Sequence, residues 1–277
     1  LTLVCGASWP IMKIAAEGMP VFVYRFISAF GASIFMLIVT KATGHSLALP
    51  RRLWRPILLV AFFNGFTFLF LSALGLLILP SGHAAVMAYT MPLWAFLISI
   101  PVLHERPQAM QWIGLALGMA AIAVLLIDSL HGEDNAVTGI FVMGGAAVCW
   151  ATGTIIVKKV DWQQPMSLIV TWQFLLGSLP FGLLMLKDLP GLEWPPTDVV
   201  LAVVYTVVLA LGFGFWAWFK IVEMVPASVA SLSVLAIPAI GVASGGFILG
   251  EVIGMTEIIA LALLLGALAT VVLPKPQ

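Results

Sequence analysis

The sequence predicts an all-α integral membrane protein of ten transmembrane helices, arranged as two inverted-topology five-helix repeats around a central cavity. Three observations predict it. Of the 277 residues, 62% are hydrophobic and 9% charged, against roughly 45–50% and about 25% in an ordinary soluble domain. Apolar stretches recur near the ~20 residues that cross ~30 Å of hydrocarbon as a helix. The chain also matches itself when shifted by 145 or 146 residues.

Each span is bounded by charge, Pro or Gly. The first, Leu1–Ala16, opens inside an apolar stretch without the positive n-region of a signal peptide, and reads as a first helix clipped at its start. Val21–Thr40 follows Pro20 and stops at Lys41. Pro56–Leu79 lies between Arg55 and Pro80, Gly82–Leu103 stops before Glu105, and Met110–Asp128 closes the first half. The second half gives Thr138–Val157, Pro165–Leu186, Val199–Ile221, Ala227–Leu249 and Thr256–Leu273. The longest connections, Lys41–Arg55 and Lys187–Asp198, have the composition of water-facing loops and leave no room for a soluble domain.

Basic residues set the orientation, because cytoplasmic loops retain Lys and Arg. With the N-terminus inside, Lys41, Arg51, Arg52, Arg55, Arg106, Lys158, Lys159, Lys220 and Lys275 fall in the cytoplasm, and Lys13, Arg25 and Lys187 fall outside. Both termini are therefore expected in the cytoplasm. Arg25, a short way into the second span, is expected to snorkel to the outer interface.

A shift of 146 superposes Pro80 on Pro226, Pro92 on Pro238, Leu103 on Leu249 and Glu105 on Glu251. A shift of 145 superposes Lys13 on Lys158 and Pro20 on Pro165. The expected halves are residues 1–135 and 136–277. Five spans is an odd number, so the second copy enters the membrane upside down. Inverted repeats of this kind are typical of secondary transporters, whose site lies near the midplane between the halves.

The carrying residues are Trp150-Ala151-Thr152-Gly153 with Lys158, the first copy Cys5-Gly6-Ala7-Ser8 with Lys13, and the runs Pro80 to Glu105 and Pro226 to Glu251. In these features the chain resembles the drug/metabolite transporter superfamily, specifically its ten-helix branch with two EamA domains. Within that branch it looks most like bacterial exporters of aromatic and other neutral amino acids. The resemblance implies a multi-pass protein of the bacterial inner membrane.

Candidate solute contacts follow from polar or bulky groups at depth. Trp150, about twelve residues or ~18 Å into its span, is too deep for an interfacial belt and offers an apolar wall with one N–H donor. Asn64 carries an amide that hydrocarbon penalises, so it must face either a cavity or an interhelical partner. Tyr89 is the bulky polar-tipped member of a helical face otherwise formed by Gly82, Ala85 and Pro92, matched in the second half by Ser228, Ser231, Leu235 and Pro238. His83 and Met87 share a second face with Thr90 and Trp94. Pro92 and Pro238 fall midway along the fourth and ninth spans, where each removes a helical hydrogen bond and produces a kink. Glu105 and Glu251 are expected to close helix connections.

Zero net charge and the absence of any Lys/Arg run longer than a pair exclude a strongly basic nucleic-acid surface. Cys5 and Cys149 lie in separate apolar stretches and read as packing residues, with no metal site or cofactor implied. The spans hold no convincing nucleophile–base pair, so an enzyme is not expected. No GxxxxGK[ST] motif is present to bind nucleotide. The expected partners are a small amino acid-like solute and lipid, and the expected state is a monomer. The absence of a clear mid-span carboxylate favours facilitated transport over obligatory proton antiport. A proton-coupled multidrug or metabolite carrier of the same superfamily is the alternative, and a channel lined by Asn64 and the Ser231/Ser233 region is the alternative of another class.

Overall fold

The structure is a computed structural model describing residues 2–104, 109–130, 135–218 and 227–272, with backbone alone for 227–235 and 271–272. Glu105, Arg106, Glu133, Asp134, Lys220, Pro226 and Lys275 lie outside the described residues, as do the side chains of Ser228, Ser231, Ser233 and Leu235.

Among the described residues the regular structure is all helical. The helices are α1 (Thr2–Glu17), α2 (Val21–Ala42), α3 (Arg51–Ile78), α4 (Ser81–Leu103), α5 (Ala109–Leu130), α6 (Ala136–Lys159), α7 (Met166–Lys187), α8 (Thr197–Trp218), α9 (Ala227–Leu249) and α10 (Met255–Val272). Seven of these, α2 through α8, are long and apolar enough to cross a membrane, and shorter apolar stretches cover Ala236–Leu249 and Met255–Thr270. Large apolar side chains such as Phe141, Leu183, Leu201 and Phe247 are exposed. That distribution suits a protein whose surrounding solvent is lipid rather than water.

Helix starts follow local chemistry. Pro20, Pro80, Pro165 and Pro196 stand directly before α2, α4, α7 and α8 with extended ψ angles. A residue without an N–H is suited to a helix start because it leaves no donor unpaired there. At the far ends of α4 and α9, His104 and Gly250 take the left-handed conformation, with φ of 56° and 69°. This turn at C′ lets the chain leave the helix sharply.

Three interruptions shape the interior. In α3, residues Ala61–Thr67 widen into a π-helical stretch, and in α8 Thr206–Phe213 do the same. In α4 the helix breaks at Tyr89 and Thr90, between Ser81–Ala88 and Met91–Leu103. Pro92 lacks the N–H that would have reached back to Ala88, so the chain tightens: the N–H of Leu93 bonds Thr90 O at 2.9 Å and that of Thr90 bonds Met87 O at 3.2 Å. Around Pro238 α9 continues as one helix.

Packing pairs are α1 on α9 and α4 on α6, α2 on α8 and α3 on α7, and α1 on α8 and α3 on α6. In addition α2 packs along α7, α4 along α9, and α5 along α10. A close approach lies between α3 and α7, where a Cβ added to Gly65 would lie 2.5 Å from Gln173 O and 3.2 Å from Gly177 Cα. Small residues here let two backbones touch.

Candidate functional site

A cavity of about 380 Å³ lies among α1, α3 and α4 from the first part of the chain and α6, α8, α9 and α10 from the second. Its walls are aromatic and aliphatic. Trp9, Phe68, Tyr89, Trp150, Phe215 and Trp218 supply the rings, and the lining residues with polar side-chain atoms are Cys5, Ser8, Thr154, Tyr89 and the three tryptophans. The Ser8 hydroxyl donates to Cys5 O at 2.7 Å and that of Thr154 to Trp150 O at 2.9 Å. Among the described residues no lining residue is charged. Such a lining, predominantly apolar with a few polar groups, has the composition of a small-molecule pocket.

Trp150 stands on the wall, with its ring centroid 4.7 Å from that of Phe68 and 5.1 Å from that of Phe215. Tyr89 lies at the break in α4, edge-to-face with Trp9 at 6.3 Å. Pro92 lines the same space. These three expected residues come together, whereas Asn64, His83, Met87 and Pro238 do not line the cavity.

Asn64 sits inside the π-helical stretch of α3, against Gly153 of α6. With its amide nitrogen turned toward α6, it donates to the carbonyl oxygens of Cys149 and Trp150, both at 3.2 Å. Its contacts therefore run to the backbone that carries the indole, not to the cavity. Met87 is buried in the core and packs toward Gly144 of α6.

His83 lies at the Ser81 end of α4, 6% exposed. Its Nε2 is 3.0 Å from Glu257 Oε1 of α10, although the pair is not aligned for a hydrogen bond. The other Glu257 oxygen accepts the Gly254 N–H at 2.9 Å.

Beside this pair, Glu251 closes the same end of the bundle. Its carboxylate accepts the Ser81 N–H and the Ser81 hydroxyl, both at 2.7 Å, and the Gly82 N–H at 3.2 Å. Lys13 Nζ from α1 lies 3.3 Å from Glu251 Oε1 and donates to Leu79 O at 3.0 Å. Three segments from distant parts of the chain thus meet on one carboxylate. Burial alone would raise the Glu251 carboxyl, but the Ser81 and Gly82 donors and the Lys13 ammonium outweigh it and hold the group below its ordinary value.

Arg25 corrects the expectation that it snorkels to the interface: the residue is fully buried. Helices pack around α2 on several sides, and its guanidinium turns inward to Ser72 Oγ at 3.0 Å and the Tyr24 hydroxyl at 3.5 Å.

Trp9, Met12, Phe68 and Phe215 are wall residues that sequence reasoning missed. The signal was in the repeat, because Cys5 and Trp150 are 145 residues apart and both line the cavity, as do Trp9 and Thr154. Leu69 with Phe215 and Met91 with Ile237 make further lining pairs at a spacing of 146.

Comparison with known proteins places this architecture. The uncharacterized transporter YvbV of Bacillus subtilis is 25% identical over 273 residues, covering 98% of this chain and 88% of the relative. A probable amino-acid metabolite efflux pump of Salmonella typhimurium is 27% identical over 283 residues, covering 97% and 91%. A solved crystal structure with 20% sequence identity superposes with a TM-score of 0.72 over 97% of this chain and 94% of that one, which is a likeness of fold. The model of the EamA-like transporter family matches residues 1–127 and again 137–273. The chain therefore belongs to the EamA-like transporter family of the drug/metabolite transporter superfamily, and is a multi-pass membrane transporter, not an enzyme.

Proposed function

We propose that this protein exports small amphiphilic metabolites, aromatic and other neutral amino acids foremost, by alternating access and down the solute gradient. The observation that carries the reading is the ring-lined cavity shared between the two parts of the chain, uncharged among the described residues. It offers aromatic faces to an apolar side chain and a few hydroxyls to a polar end. The amino-acid class is also supported by the relative named as an amino-acid metabolite efflux pump.

The working architecture is ten spans, α1 to α10, in two inverted halves, residues 1–135 and 136–277, inserted in the bacterial inner membrane with both termini cytoplasmic. Supporting it, the packing pairs come as mates under exchange of halves: α1 on α9 with α6 on α4, and α2 on α8 with α7 on α3. The two π-helical stretches occupy the corresponding helices α3 and α8. In this orientation the Glu251 cluster faces outward and closes the outer end of the pathway, and the break before Pro92 sits where α4 reaches the cavity.

The test is counterflow in proteoliposomes. Internal unlabelled phenylalanine should accelerate the entry of labelled phenylalanine in a saturable way, an exchange that a channel does not produce. Trp150→Ala should cut that flux about tenfold or more, consistent with loss of a buried aromatic contact, at unchanged folded yield. Absence of counterflow across a panel of neutral amino acids would sink the reading. The proton-coupled alternative has the buried His83–Glu257 pair in its favour. Uphill solute accumulation driven by an imposed pH gradient would establish coupling in place of facilitation.

A further inference from the structure

A fully buried arginine needs a counter-charge, and Arg25 has none among the described residues. Its guanidinium carries five N–H donors in a planar fork that matches a carboxylate. The protein occupies it sparingly, with Ser72 Oγ at 3.0 Å, a long contact to the Tyr24 hydroxyl at 3.5 Å, and the Tyr24 ring at 4.7 Å. Nε is buried with no acceptor. An unpaired cation within a membrane span is expensive and points to function. The cost is difficult to account for by packing, since a neutral side chain would bond one serine equally well.

Its position says what the charge is for. Ser72, which holds the guanidinium, lies three residues beyond the cavity-lining Leu69 along α3. Thr206, which meets Tyr24 Oη at 3.4 Å, lies four residues before the cavity-lining Ala210 along α8. Both offsets are about one helical turn, or ~5 Å, and both lead toward the end closed by Glu251. Among the described residues the cavity carries no charged group. A zwitterionic solute would therefore find its apolar part accommodated there and its carboxylate unmet until it moved one turn outward.

We propose that Arg25 is a carboxylate-binding residue of the transport pathway, engaging the acid group of the solute as it passes from the aromatic cavity toward the Glu251 end, with Ser72 as the positioning residue that holds the fork. This rests on the amino-acid reading above and specifies which part of the solute is recognised. An amine or amide that keeps the aromatic body but lacks the carboxylate does not need Arg25.

The experiment compares phenylalanine with phenylalaninamide and phenethylamine in proteoliposome counterflow, using wild type, Arg25→Gln, Arg25→Lys and Ser72→Ala. Arg25→Gln is expected to lower phenylalanine flux at least tenfold while changing the flux of the two carboxylate-free analogues less than twofold, with Arg25→Lys intermediate. Ser72→Ala, a small truncation that leaves the cation in place, is expected to raise KM for phenylalanine several-fold and leave KM for the amide unchanged. An equal loss for all three solutes in Arg25→Gln, or an undiminished phenylalanine flux, overturns the inference while wild-type counterflow leaves the amino-acid reading standing. Should Arg25→Gln not fold, equal KM values for phenylalanine in Ser72→Ala and wild type overturn it. If wild type carries none of the three, the amino-acid reading falls, and the inference with it.

Discussion

Glu251 shows how a single side chain can join distant parts of this chain. Its two oxygens serve the start of α4 through Ser81 and Gly82 and the end of α1 through Lys13. Gly245 leaves the room this requires, since a Cβ there would fall 2.6 Å from Ser81 Oγ and 2.7 Å from Glu251 Oε2. The carboxyl is held below its ordinary value of 4.5 by donors that outweigh its burial. A carboxyl depressed in the folded state contributes stability that is fully present above its unfolded value and is lost as pH falls through the folded one. Thermal unfolding in detergent should therefore show wild type more stable than Glu251→Gln at pH 7, with the gap closing as the pH drops below about 4.5. A gap that persists unchanged to pH 3 would mean that the carboxylate charge contributes nothing at this junction.

At the scale of elements, the π-helical stretches and the close approach beside them are the least legible features in the sequence. Apolar runs placed the helices to within a few residues, because lipid demands length and hydrophobicity and both can be read directly. Nothing in Ala61–Thr67 announces a widened turn, and the contacts that accompany it are tertiary: Asn64 reaching across to α6, and Gly65 lying against Gln173 and Gly177 of α7. The proline at 92 was readable as a break, and the break falls at Tyr89 and Thr90. Trp150 was readable by depth, whereas Asn64 offered two fates and the partner on α6 could not be seen from its own helix. The α3–α7 contact gives a specific expectation. Gly65→Ala places a methyl group 2.5 Å from a backbone oxygen that cannot rotate away. Overpacking of this kind costs typically ~1–3 kcal/mol, so the variant should unfold at lower temperature, whereas Gly145→Ala, whose added Cβ would meet only the flexible end of Leu71 at 3.4 Å, should be close to neutral. Equal melting temperatures for the two would contradict the close approach.

For the whole molecule the decisive question is whether the Glu251 end must open for transport. The cavity wall is drawn from both parts of the chain, and the closure at this end joins α1 and α4 to α9 and the turn before α10. If rocking of the halves carries solute, a covalent link across this end must stop it. Ser81 and Gly245 are suited to that link, because a Cβ on Gly245 would lie 2.6 Å from Ser81 Oγ, which puts the two Cβ atoms in the range of a disulfide, about 3.5–4.5 Å. In a background with Cys5 and Cys149 replaced by Ala, the pair Ser81→Cys and Gly245→Cys should form a bond on oxidation that abolishes counterflow, and reduction should restore it. Solute binding in detergent, followed by quenching of tryptophan fluorescence at the cavity wall, should survive oxidation, because neither Ser81 nor Gly245 lines the cavity. Full counterflow with the disulfide formed would show that solute leaves by another route. Loss of flux that reduction does not reverse would trace to the substitutions themselves, and each single-cysteine variant, unable to form the bond, provides the control that separates damage from locking.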